Sequence, residues 1–321
     1  MVSNELQGVL EGYRLSPRAE LEPHRSVWLV DDGQSLKVLK PLKTGAVRSF
    51  LIGELLKEIN EGRRVPDLIP TERGHNYLWF RGNRYFLTRW LDGREADYYR
   101  DEDLAAAIGA MRWFHESTGR LVEASSCWEY FRFQPGREWN CYLREMEACR
   151  RLAIRRGDGW CRQYLRLWPA YYEQAYHAID AYRSMVKQAG KCLCYHDWAH
   201  HNVVIREGKA CLFDFDYLLM DNAVHDKANL ISRYARLHHW DYRYLLKILW
   251  LFDKHYPWKK GELRLLHVYL TFPYDYWMFG RQFLIEQLPW SRRYLEEQWQ
   301  RKAAWISRRN RALEILEALE A

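Results

Sequence analysis

The run Cys192-Leu-Cys-Tyr-His-Asp-Trp-Ala-His-His-Asn-Val-Val-Ile-Arg-Glu-Gly-Lys-Ala-Cys-Leu-Phe-Asp-Phe-Asp216 constrains this chain more than any other stretch. Cys192–Tyr195 is short and apolar and predicts a strand. Asn202–Arg206 predicts a second, and Ala210–Phe213 a third, with Arg206-Glu-Gly-Lys209 as a tight hairpin turn between them. Asp197 and Asn202 then fall on the loop before the hairpin, and Asp214 at the end of its returning strand. Asp216 shares a face with Asp214 by strand alternation. Asp is common at strand ends for reasons of turn chemistry alone. The order loop, strand, turn, strand, Asp carries the reading, not any one residue.

Asp, Asn and Asp in that order suit phosphoryl transfer. Protein kinases use H-R-D-L-x-x-x-N followed by D-F-G: the first Asp handles the acceptor hydroxyl, and the Asn and second Asp hold Mg²⁺. Such chemistry is positioning plus charge neutralisation, so few residues can carry it. On this reading Asp197 is catalytic, Asn202 and Asp214 are metal ligands, and ATP and Mg²⁺ are the cofactors. A strand lysine and a helix glutamate would grip the phosphates. Lys37 is chosen over Lys40, and Glu54 over Glu58, one turn later on the same face.

These residues resemble the aminoglycoside phosphotransferase-like kinases and, within them, the CotS-like bacterial spore coat proteins. The family pattern H-G-D-x-x-x-x-N is met by Tyr195-His-Asp197 with Asn202, and its I-D-F by Phe213-Asp-Phe215. The helix pattern that follows is met by Met220 to Ile231, where Asp226 matches the Asp that braces the catalytic loop. Further matches are the strand Gln34–Leu39, the loop from Val65-Pro66 to Thr71, the hinge Arg84–Gly93, and Leu270–Trp277, the last favouring the spore coat group. The resemblance implies an α+β, bilobal protein-kinase-like fold with a small β-rich first lobe and a larger, mostly helical second lobe. Two departures stand out. Tyr195 and His196 replace the family His and Gly, with Tyr195 expected still to support the loop, and nothing between Tyr13 and Val30 resembles a phosphate-covering G-x-G-x-x-G.

The chain has 321 residues, enough for two lobes, expected at 1–91 and 92–321 with a helical insert at 120–160. Strands are expected at Ser26–Val30 and Ser35–Leu39, and amphipathic helices at Phe50–Ile59 and, with an Asp cap, Asp101–His115. His115 ends the apolar stripe of the second helix and reads as a packed core histidine. With 16 Trp and 22 Tyr the core must be strongly aromatic. The segment 120–160 mixes aromatic and basic residues but matches no nucleic-acid module, and the net charge of +7 is too small and scattered to indicate one. Seven cysteines without C-x-x-C spacing argue against a disulfide framework or a zinc knuckle. No signal-peptide pattern and no membrane-length apolar run is seen, so a cytoplasmic protein is expected. The resemblance adds the spore coat as a location and other coat proteins as partners. The activity expected is transfer of phosphate from ATP to a hydroxyl of a small molecule or protein. The alternative is a catalytically weak or inactive coat component on the same fold.

Overall fold

Strand alternation organises the first half of the molecule. In the computed structural model, which describes residues 4–15, 20–24, 27–60, 64–185 and 191–319, the chain divides into two compact units. The first unit comprises residues 1–132 and 192–220. Its main sheet contains β1 (Glu20–His24), β2 (Val27–Asp31), β3 (Leu36–Leu42), β4 (Leu68–Ile69), β5 (Leu78–Phe80) and β6 (Asn83–Arg89). The order is β1-β2-β3-β6-β4, with β5 also on β6, and all pairs are antiparallel. Ser26 of the expected first strand lies outside the described residues.

Val30, Leu39, Tyr85 and Leu87 bury one face of this sheet against Val9, Leu10 and Tyr13 at and just beyond α1 (Asn4–Glu11). The Tyr13 hydroxyl donates to the Tyr85 carbonyl at 2.6 Å and accepts from the Leu78 amide at 3.2 Å, so its polar end is satisfied inside an apolar cluster. Helix α2 (Ala46–Glu58) follows β3 and buries Leu51, Ile52, Leu55 and Leu56. These four follow helical spacing and form one apolar stripe.

After β6 the chain makes β7 (Arg94–Glu95), helix α3 (Asp101–Ala124) and, later, β8 (Cys192–Cys194), β9 (Val203–Arg206) and β10 (Lys209–Leu212). Strands β10, β9 and β7 form a second sheet. Gly93 is required at its edge: its φ is +145°, and a Cβ there would meet Val204 Cγ1 at 2.4 Å and the Ile205 carbonyl oxygen at 2.7 Å. The β9–β10 turn has positive φ at both Glu207 (50°) and Gly208 (74°), the backbone that matches strand twist in a two-residue hairpin. Helix α3 packs on β8 and β10 through Leu104, Ala107, Ile108, Met111 and Phe114. The expected Asp cap of this helix is corrected. Arg100 is the cap residue and makes no side-chain cap bond, while Asp101, Glu102 and Asp103 occupy the first turn, where negative charge complements the helix dipole. Asp103 accepts from Arg94 Nη2 at 2.6 Å and from the Asp97 amide at 2.8 Å.

The second unit, residues 133–191 and 221–321, is helical: α4 (Pro135–Arg156), α5 (Gly159–Met185), α6 (Ala223–Leu237), α7 (Tyr242–His255), α8 (Glu262–Thr271), α9 (Tyr274–Gly280) and α10 (Arg292–Ala318). Strand β11 (Leu219–Asp221) pairs with β8. The interior is built from rings. Trp139 stacks on Phe272 at 4.7 Å, and Tyr276 lies between Tyr164 (4.5 Å) and Tyr171 (4.4 Å). Its buried cations have polar partners. Lys227, fully buried, pairs with Glu262 at 2.8 Å and lies against the rings of Tyr256 and Trp258. Arg309 donates to Gln174 and to the carbonyls of Leu270 and Thr271. The α+β, two-part architecture expected from the sequence, strand-rich first and mostly helical after, is the one the chain has. Among the described residues no helix is long and apolar enough to cross a membrane.

Candidate active site

The candidate residues are held by the loop between β8 and β9. Tyr195, fully buried, leaves β8 among the rings of Trp198 (5.1 Å), Phe215 (5.2 Å) and Phe114 (6.3 Å). Its hydroxyl faces two carbonyls, that of Asn202 at 3.2 Å and that of Phe213 at closer range. One phenol therefore ties the loop to the end of the hairpin beside Asp214. The next residue, His196, has φ +70°, and the Asp197 amide donates to the Tyr195 carbonyl at 2.9 Å across it. This is a γ-turn of the rare, strained hand. The family pattern that the sequence resembles has Gly at this position; this chain accepts the strain on a histidine, and the turn sets the direction of Asp197.

Asn202 is buried at the end of a 3₁₀ turn, His200–Asn202. Its side-chain amide donates to Asp197 Oδ2 at 2.8 Å and to the Asp197 carbonyl at 3.3 Å, and its own carbonyl accepts from the Phe213 amide at 3.3 Å. Asp214 has φ +67°. Its Oδ1 lies 2.6 Å from Lys40 Nζ, and Asp216 Oδ2 lies 3.0 Å from the same nitrogen. The structure thus links Asp197 with Asn202, Asn202 with the strand before Asp214, and Asp214 with Lys40 and Asp216.

It does not bring Lys37 there. Lys37 shares a strand face with Leu39, which is buried in the apolar cluster of the main sheet, whereas Lys40 emerges on the other face. The Lys37 ammonium turns to the β2–β3 turn, 2.5 Å from Asp32 Oδ2 and 2.9 Å from Ser35 Oγ. That bond holds the Asp32 carboxyl well down, at about 2. Nor does Glu54 meet either lysine. It accepts from Asn76 Nδ2 at 2.7 Å and Lys57 Nζ at 3.2 Å, and the Asn76 bond, ahead of Lys57, lowers its pKa. Asn76 is itself buried against Gly53, so Glu54 anchors the loop after β4 to α2. Asp226 is fully buried in the first turn of α6, in the second unit.

Of two further residues near the carboxylates, Lys40 is the alternative that the sequence offered to Lys37, and Arg48 was not anticipated. Val38-Leu39-Lys40 spells the V-L-K order itself. Arg48, in the first turn of α2, donates to the Leu218 carbonyl and lies 4.8 Å over the Phe131 ring. Burial lowers its pKa and the nearby charge of Asp216 raises it. No local pattern marks it.

The donors on the loop and at the end of the hairpin are all oxygen: the carboxylates of Asp197, Asp214 and Asp216 and the amide of Asn202. Hard oxygen ligands of this kind fit Mg²⁺ rather than a soft metal. Lys40 is the cation that Asp214 and Asp216 share.

Comparison with known proteins gives the same direction. The chain is similar to Spore coat protein S of Bacillus subtilis (strain 168), 21% identical over 276 residues, covering 82% of this chain and 78% of that protein. Its fold is similar to an aminoglycoside phosphotransferase from Alicyclobacillus acidocaldarius subsp. acidocaldarius DSM 446, with a TM-score of 0.80 at 16% identity over 98% of this chain and 96% of that one. It is also similar to a spectinomycin phosphotransferase solved with ADP and spectinomycin, with a TM-score of 0.67 at 12% identity over 100% and 99% of the two chains. The family model described as the phosphotransferase enzyme family matches residues 25–257, and the chain belongs to that family.

Proposed function

We propose that this protein transfers the γ-phosphoryl group of Mg-ATP to the hydroxyl of a small molecule. The observation that carries the reading is the single ammonium of Lys40 shared by Asp214 and Asp216 at the end of the hairpin that Asn202 ties to Asp197. Asp197 orients the acceptor hydroxyl and receives its proton, in a position set by the γ-turn at His196 and by Asn202. Asn202 and Asp214 hold Mg²⁺, and Asp216 is a further carboxylate within reach of the same charge. Lys40, rather than Lys37, takes the phosphates. Bound Mg²⁺ supplies neutralisation of the charge spread over the transferring group. The small-molecule acceptor class rests on relatives such as the spectinomycin phosphotransferase.

A second reading, a coat component with little or no catalysis, draws on the similarity to Spore coat protein S. One experiment separates them. Thermal unfolding is followed with ATP, with and without Mg²⁺. At a hundredfold excess over Kd, ligand binding stabilises by about 2.7 kcal/mol, a shift of several degrees. A Mg²⁺-dependent shift that Asp214→Asn removes supports the transferase. A wild-type chain indifferent to Mg-ATP leaves the coat-component reading.

A further inference from the structure

Cys192 and Cys194 are alternate residues of β8, so their side chains leave the strand on one face. Their sulfurs are 3.8 Å apart. His115, near the middle of α3, completes a triangle in which a ring nitrogen and both sulfurs all lie within 4.8 Å of one another. His115 and Cys194 are buried and Cys192 is half-buried.

We infer that His115, Cys192 and Cys194 form a binding site for a thiolate-seeking d¹⁰ dication, with Zn²⁺ as its type. Thiolate sulfurs about 2.3 Å from a tetrahedral zinc ion stand about 3.8 Å from each other, the spacing already present here. Two thiolates, a neutral imidazole and the dication sum to zero charge, so the buried site carries no net ion. Both thiol protons leave to solvent as the metal binds. Among the described residues no fourth His, Cys, Asp or Glu joins the three, which leaves one tetrahedral corner for water, reached past half-buried Cys192. The sequence reading placed His115 correctly in the core but missed its neighbours, which stand far away along the chain.

The site has a mechanical consequence. Cys194 directly precedes Tyr195, the anchor of the loop that carries Asp197. Phe114, beside His115, packs edge-on to the Tyr195 ring. A metal held by all three side chains clamps α3 to the stem of that loop. The oxygen-ligand site at Asp197, Asn202 and Asp214 is chemically different, and this inference does not depend on it.

The test is a Co²⁺ titration of the full-length chain, reduced and stripped of metal. A thiolate-to-cobalt charge-transfer band should saturate near one metal per chain and bleach when Zn²⁺ is added. Cys192→Ser and Cys194→Ser should lose the band, His115→Gln should weaken binding at least about tenfold, and Cys149→Ser should leave it intact. Absence of the band in the wild type, or its survival in Cys192→Ser, overturns the inference. Because these substitutions touch the interior, the wild type is also labelled with a maleimide and mapped by mass spectrometry. Zn²⁺ should protect Cys192 several-fold while leaving exposed Cys127 unchanged. Equal labelling of Cys192 with and without Zn²⁺ overturns the inference as well.

Discussion

Two lysines, Lys227 of the helical unit and Lys40 of the sheet unit, are held in opposite ways. In the helical unit, Lys227 is fully buried between Glu262, three aromatic rings and two backbone carbonyls at 3.4 Å, and its charge is paired with the Glu262 carboxylate. In the sheet unit, Lys40 is only partly buried and is shared by two carboxylates, with Asp197 a third acid on the tethered loop. The first arrangement is closed: every group needs its partner to stay where it is. The second sets two carboxylates against a partly accessible Lys40, with the Arg48 charge near Asp216, an open arrangement that a further cation or a phosphate can enter.

The comparison can be broken at four points. Glu262→Gln leaves the Lys227 charge buried beside a neutral amide, and we expect a loss of about 3 kcal/mol in urea unfolding. A loss below about 1 kcal/mol would show that the rings and carbonyls suffice alone. Next in size is the contrast between Lys40→Met and Lys37→Met. The first should abolish the Mg-ATP stabilisation of about 2.7 kcal/mol and the second should retain it; equal responses would dissolve the distinction between the faces of β3.

Tyr195→Phe removes the hydroxyl that faces the Asn202 and Phe213 carbonyls, and should cost about 1 kcal/mol, measured by chemical denaturation. The smallest effect is in acid. The Asp32 carboxyl is held at about 2, chiefly by its bond from Lys37. A depressed carboxyl contributes stability above its unfolded pKa, near 4, and loses it as pH falls through about 2. Wild type should therefore exceed Lys37→Met in stability at pH 5, with the gap narrowing between about pH 4 and about pH 2. A gap that does not change with pH would assign Lys37 a packing role instead.

Legibility differed between the hairpin and the strand that faces it for a physical reason. The run from Cys192 to Asp216 is contiguous, and its turn chemistry at Glu207-Gly208 and strand alternation act over a few residues. In β3, by contrast, Leu36, Val38 and Leu39 are all apolar, so the alternation that separates Lys37 from Lys40 is masked, and the core face becomes visible only when Val30, Tyr85 and Leu87 are seen around Leu39. Glu54 was chosen by position on a helix, but its partner Asn76 comes from a loop that no helical spacing anticipates.

What the amino-acid order determined alone was the local grammar: the loop that carries Asp197 and Asn202, the hairpin behind it, and a resemblance to a kinase-like architecture. Pattern and turn preference act between near neighbours, where chain connectivity limits the alternatives. Only the tertiary structure decided which lysine meets Asp214, that Arg48 lies beside Asp216, and that His115 stands over Cys192 and Cys194. Those pairings join residues distant in sequence, and they depend on which faces of sheet and helix are buried together.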